Sequence, residues 1–190
     1  MLTIHIDVDA SGLRAYLGRG GAFWRDSVRL LLDLLLCLSG CAVQNVLPDS
    51  YPELPLFPAI AVVAYLAGRR GPWHAYCMAL LCGVLLDCGC WGRLGTSSLL
   101  FALEAFCVRL LHPCVERLGY LLSTMLVGGG SAFLWIGCRL FFFSPGMPWA
   151  TCVHLAPQAL LCGGLLTGIL FAPLLFALLD LLPGFFRESR

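Results

Sequence analysis

The sequence predicts an all-α, polytopic membrane protein with about six transmembrane helices, and three observations lead there. Only 12% of the 190 residues are charged and 59% are hydrophobic, whereas soluble domains carry roughly a quarter charged residues. The mean hydropathy is +0.87. Long apolar runs follow one another with short polar links between them, and basic residues alternate between basic-rich and basic-poor links. All basic side chains are arginine, and the net charge is +1. With no clustered basic face, binding of nucleic acid is excluded as a function class.

Residues 1–26 read as a cytoplasmic N-terminal extension and residues 27–190 as one helical transmembrane domain. Leu2 to Asp9 alternates apolar and polar positions, the pattern of a short strand. Ser11 to Leu17 reads as a helical turn and Gly18 to Gly21 as a flexible joint. His5, Asp7 and Asp9 stand where a secretory signal needs a basic start and an apolar core, so this is not a cleaved signal.

The first apolar run, residues 28–47, is about twenty residues long, enough to cross a hydrocarbon core of roughly 30 Å. The second, residues 54–67, spans only about 21 Å. It must thin the bilayer, recruit Tyr51 and Pro52 at its start, or be partly re-entrant. The others cover residues 74–88, 96–115, 120–143 and 157–182. Arg14, Arg19, Arg25 and Arg29 precede the first run, Arg69 and Arg70 follow the second, Arg109 and Arg117 mark the end of the fourth, and Arg187 and Arg190 form the tail. The links between carry few or none: the first holds Asp49 and Glu53, the third only Arg93, the fifth (residues 144–156) no basic residue. By the positive-inside rule both termini are cytoplasmic. Trp24, Trp73, Trp91, Trp149 and Tyr120 fall near the expected interfaces, where amphipathic rings settle.

Small residues recur four apart within runs: Cys37 and Cys41, Ala79 and Gly83, Gly128 and Ala132, Gly164 and Gly168. Such spacing lets helix backbones approach closely in lipid. Three glycines at Gly128 to Gly130 weaken a helix and permit a kink or very close contact. The eleven cysteines are scattered through the apolar runs as small hydrophobes. In an oxidising compartment Cys152 could pair with Cys88 or Cys90. A Cys-x-Cys with no nearby histidine lacks the four-ligand logic of zinc, so no metal is expected.

Ionisable residues inside a span are expensive and are candidates for function. Arg29 and Asp33 lie one turn apart at the start of the first run, where local pairing would satisfy both. Glu104 sits near the middle of the fourth run. It is either protonated or faces a partner on another helix, because Arg109 lies too far round its own helix. Asp180 and Arg139 lie nearer run ends. Asp87 ends the third run, before a glycine-rich turn containing Arg93, Leu94 and Gly95. Its carboxylate could accept from backbone amides around Gly95 to Ser97, or pair with Arg93 or Arg139. Any of these would hold the third and fourth runs as a hairpin.

The ordered series Leu54-Pro55-Leu56 through Tyr65-Leu66, Arg70-Gly71-Pro72, Gly83-Val-Leu-Leu-Asp87 and Leu94-Gly95-Thr96-Ser97 resembles the MreD family of the bacterial rod-shape system. The resemblance covers about 50 residues; the N-terminal extension, the cysteine-rich turn and Arg93 in place of a proline depart from it. It implies a fold similar to the substrate-binding subunit of energy-coupling-factor transporters. It also implies a non-enzymatic scaffold in the bacterial inner membrane, without cofactor. Its partner is an MreC-like bitopic protein, and through it MreB, RodA and a class B penicillin-binding transpeptidase. Candidate partner or packing positions are Pro55, Gly83, Asp87, Arg93, Leu94, Gly95, Glu104, Gly164 and Gly168.

The residues themselves point the same way. His5, His74, His112 and His154 are dispersed, with no carboxylate or nucleophile at catalytic spacing. No phosphate-binding loop is present, so the chain cannot power transport itself. A small-molecule binding subunit of a transporter is the alternative, with Asp87, Arg93, Thr151 and Gln158 as its polar candidates.

Overall fold

The computed structural model describes residues 10–50, 56–89, 95–142 and 159–181, with positions 150, 153, 154 and 157. These residues are almost all helical. The helices are α1 (Ala10–Ser50), α2 (Pro58–Arg69), α3 (Pro72–Gly89), α4 (Thr96–Val115), α5 (Tyr120–Phe142) and α6 (Leu160–Leu181). A 3-10 turn, Glu116–Leu118, and Gly119 at φ 92° join α4 to α5. Three helical stretches, Thr96–Leu118, Tyr120–Leu140 and Leu160–Leu181, are long and apolar enough to cross a membrane.

The bundle is apolar outside and polar at chosen points inside. Leu31, Leu170 and Leu174 are 57%, 65% and 68% exposed, whereas Asp33, Glu104 and Thr167 are 0% exposed. A soluble protein seldom exposes apolar patches of that extent. An apolar solvent reverses the preference, and together with the three long apolar helices this suggests a membrane protein.

The short helix α2 occupies the centre. Every residue from Pro58 to Ala67 is buried, and α2 packs against each of the other helices. At 12 residues it is about 18 Å long. A helix apolar all round belongs in a core, so α2 meets protein on every side rather than lipid. Its alanines at 59, 61, 64 and 67 keep it thin enough for several neighbours.

Glycine and alanine also set the two closest helix crossings. A side-chain carbon at Gly83 would collide with the backbone of Ser97 and Ser98, so α3 and α4 touch main chain to main chain. A carbon at Gly168 would collide with the backbone of Gly129 on α5. Around that second crossing α6 is wound as a π-helix over Ala159–Gly164 and Leu166–Phe171 before becoming α-helical at Ala172–Leu181.

Two expectations for the N-terminal region change. The turn at Ser11 to Leu17 and the joint at Gly18 to Gly21 are continuous helix within α1, which also runs through residue 26 without a break. Once a long helix is nucleated, each glycine weakens it by about 1 kcal/mol without ending it. The strand expected over residues 2–9, the tail arginines and the pairing of Cys152 with Cys88 or Cys90 involve positions outside the described residues. Cys88 itself is an exposed free thiol.

Candidate functional site

Asp87 closes the hairpin of α3 and α4. Gly95 opens α4 at φ 97°, a left-handed conformation suited to glycine, and it offers the helix no side-chain cap. The first amides of a helix lack intrahelical acceptors. Asp87 supplies the acceptor from the neighbouring helix: the Gly95 amide donates to Oδ2 at 2.7 Å, and the Ser97 amide donates at 3.2 and 3.3 Å. Gly83 lies one turn before Asp87 and allows the approach. Ser98 Oγ adds a bond to the Leu80 carbonyl at 3.3 Å. The structure thus brings Gly83, Asp87 and Gly95 together. Arg139, an alternative partner for Asp87, instead places its guanidinium 4.9 Å from the Trp135 ring centre. Arg93, Leu94 and Pro55, with Thr151 and Gln158, lie outside the described residues.

The ends of α2 are satisfied by side chains from distant parts of the chain. The Phe57 amide donates to Thr167 Oγ1 at 3.2 Å, and the Ala59 amide donates to Gln44 Oε1 at 3.0 Å. At the other end, Arg109 donates to the carbonyls of Ala67 at 3.2 Å and Arg70 at 2.7 Å. Cations favour helix C-termini and their orphan carbonyls. Arg109 therefore acts between helices, while Glu104 on its own helix receives nothing from it.

Arg69 and Arg70 then tie α2 to opposite sides of the bundle. Arg70 grips Asp33 of α1 with two bonds of 2.9 Å, and His74 Nε2 of α3 lies 2.9 Å from the same carboxylate. Asp33 and Arg70 are both buried. Arg69 pairs with Asp180 of α6 at 2.7 Å, and Asp180 also accepts from Tyr65 at 3.2 Å and Tyr120 at 3.0 Å. This corrects the local pairing expected for Asp33: Arg29 lies 3.8 Å from Asp26, and Asp33 turns inward to meet the buried Arg70.

A cavity lies on each side of this double arginine. One of about 180 Å³ is bounded by Arg69, His112, Glu116, Tyr120 and Thr124. The other, about 490 Å³, opens beside Arg29, Arg70 and His74.

Glu104 is different from the other buried acids. Both of its carboxyl oxygens, the Ser131 hydroxyl and the Trp135 indole nitrogen are buried without a hydrogen-bond partner. Ser131 faces Glu104 from α5 but misses hydrogen-bond geometry, and Trp135 stacks on Phe101 of α4 at 5.9 Å. The remaining expected positions, Gly164 and Gly168, face α5: Gly164 abuts Phe133 and Gly168 abuts Gly129.

Sequence reasoning missed Arg70, His74, Gln44, Thr167, Ser131 and Trp135. A signal existed for Arg70, since two adjacent arginines beside a short buried run need partners. For Gln44 and Thr167, single polar residues in apolar helices were the only hint. Among the described residues no cluster of three or more metal-ligating side chains is present. No protein-family model, curated protein or solved structure matches this chain.

Proposed function

We propose that this protein is a non-enzymatic scaffold of the MreD type, a six-span bundle of the bacterial inner membrane with both termini in the cytoplasm. In this reading it shares the fold of the substrate-binding subunits of energy-coupling-factor transporters. It binds an MreC-like bitopic partner and helps to couple MreB, RodA and a class B transpeptidase to lateral peptidoglycan synthesis. The observation that carries the reading is the Asp87 cap. Gly83, Asp87 and Gly95, three residues of the resembling series, meet at one point of the α3–α4 hairpin. Their chemistry there is architectural: a carboxylate saturated by backbone amides holds a surface in shape. Asp33 and Asp180 are likewise taken up in ties between helices.

The test is affinity purification of the intact protein from its own membranes. Recovery of a bitopic, coiled-coil-bearing protein is expected, and its loss in the Gly83→Leu variant with insertion retained. Recovery of an ATP-binding transporter module with a small molecule bound would overturn the reading. That outcome belongs to the alternative, a ligand-binding subunit, which one observation favours: the unsatisfied polar group of Glu104, Ser131 and Trp135.

A further inference from the structure

The cavity of about 490 Å³ beside Arg70 is not explained by a scaffold. Its floor is the buried Asp33–Arg70 pair with His74. Its rim carries Asp26 and Arg29 from α1 and Gly71 from the start of α3. Nothing lies within 4 Å of the position a side-chain carbon would take at Gly71, so the main chain at the head of α3 is open to the groove. α3 has 18 residues and no acid of its own in its first turn, so its sequence places no negative charge at the positive end of its dipole.

We propose that this groove holds the headgroup of a zwitterionic phospholipid bearing a primary amine. Among the described residues the carboxylates and guanidiniums lining the groove are balanced: Arg29 and Arg70 stand against Asp26 and Asp33. A bare anion would meet Arg29 but also Asp26. A headgroup with both charges suits both, its phosphate at Arg29 and the first amides of α3, its ammonium at Asp26. The Arg29–Asp26 distance of 3.8 Å is long for an ion pair, and the aspartate side chain, 74% exposed, is open to an ammonium.

The apolar side of the groove argues for an amphiphile over a soluble phosphate. Leu30 lines it, and exposed Leu31, Leu35 and Leu38 continue along α1, a path for acyl chains. Trp73, next to Gly71-Pro72, is 84% exposed, as a ring at a membrane–water interface would be. The inference rests on the membrane reading alone and is independent of the protein partner.

The test uses the full-length protein, taken from nanodiscs holding equal phosphatidylethanolamine, phosphatidylcholine and phosphatidylglycerol into mild detergent, with retained lipid counted by native mass spectrometry. Phosphatidylethanolamine is expected to be retained about tenfold over each of the others, the order of one charge-assisted contact. Asp26→Asn should erase the preference over phosphatidylcholine by lowering phosphatidylethanolamine retention more than phosphatidylcholine retention, because only the primary amine loses an N–H bond as well as a charge contact. Arg29→Gln should lower retention of both by about tenfold. Equal retention of the three lipids, phosphatidylglycerol in excess, or an Asp26→Asn variant with intact preference would each overturn the proposal. Inorganic phosphate alone, if it raised the melting temperature as much as the preferred lipid, would assign the groove to a free anion and overturn it too.

Discussion

Gly95 begins α4 at a positive φ with no side chain, so the helix is capped from α3 or not at all. Asp87→Ala removes the acceptor of two amides, that of Ser97 buried, a loss of about 1.5–3 kcal/mol for bonds to a charged group. Asp87→Asn keeps the shape and loses chiefly the charge–dipole attraction, about 1 kcal/mol. Reversible unfolding in mixed micelles should rank wild type, Asn, Ala in that order, and an alanine variant as stable as wild type would remove the cap from the account. Asp33 poses the opposite arithmetic. A buried ion pair gains little over a well-packed apolar pair, but a lone buried charge is costly. Asp33→Asn, which leaves Arg70 buried at 6% exposure, should therefore cost about 3–5 kcal/mol. The double change Asp33→Leu with Arg70→Met should recover most of that in the same assay. Glu104 satisfies no partner and is satisfied by none. Removing a carboxyl that makes no bond does not lower stability for want of one. Glu104→Leu is thus expected to be neutral or stabilising in unfolding, and a large destabilisation would reveal a partner for the acid.

Helices in this bundle are placed by what their neighbours lack. Where α3 crosses α4, the missing side chain of Gly83 brings Asp87 within reach of the amides it caps. The two positions should be strongly coupled. Once Gly83→Leu has forced α3 from α4, adding Asp87→Ala should cost almost nothing more, whereas distant sites add. Additive losses in the double-mutant cycle would separate the crossing from the cap. The π-wound part of α6 follows the same logic. Gly164 and Gly168 admit Phe133 and the Gly129 backbone, and Thr167 between them bonds the Phe57 amide at the head of α2. Small residues four apart announce such crossings in the sequence. They do not announce which helix will be crossed.

Over the whole molecule, the polar residues divide by position. At one end of α2, Gln44 and Thr167 take up amides; at the other, Arg109 takes up carbonyls, while Arg69 and Arg70 reach α6 and α1. A helix of 12 residues surrounded by protein along its length needs these ties, because its end groups lie where side chains of other helices must meet most of them. The proposed partner docks on the outside of this frame, and the recovered complex should therefore fail when the frame is loosened at Gly83 yet survive Glu104→Leu. A complex lost in Glu104→Leu but kept in Gly83→Leu would shift attention from the hairpin to the unsatisfied acid.

Composition alone determined the class. A chain with 12% charged residues and several long apolar runs points to apolar helices, and three of those found are long and apolar enough to cross a membrane. The ends of α4 were also legible, because glycine before an apolar run and proline near its close are local signals. For Asp87 the sequence left three destinations open, the amides around Gly95 to Ser97, Arg93 and Arg139, and the structure shows the amides taken. Only the tertiary structure decided that α2 is the core, that Asp33 pairs across the bundle with Arg70 instead of with Arg29, and that Arg109 closes another helix. Each of these is a choice among partners far apart in the chain. Periodicity and charge order say which residues need a partner; burial and geometry alone say which partner they meet.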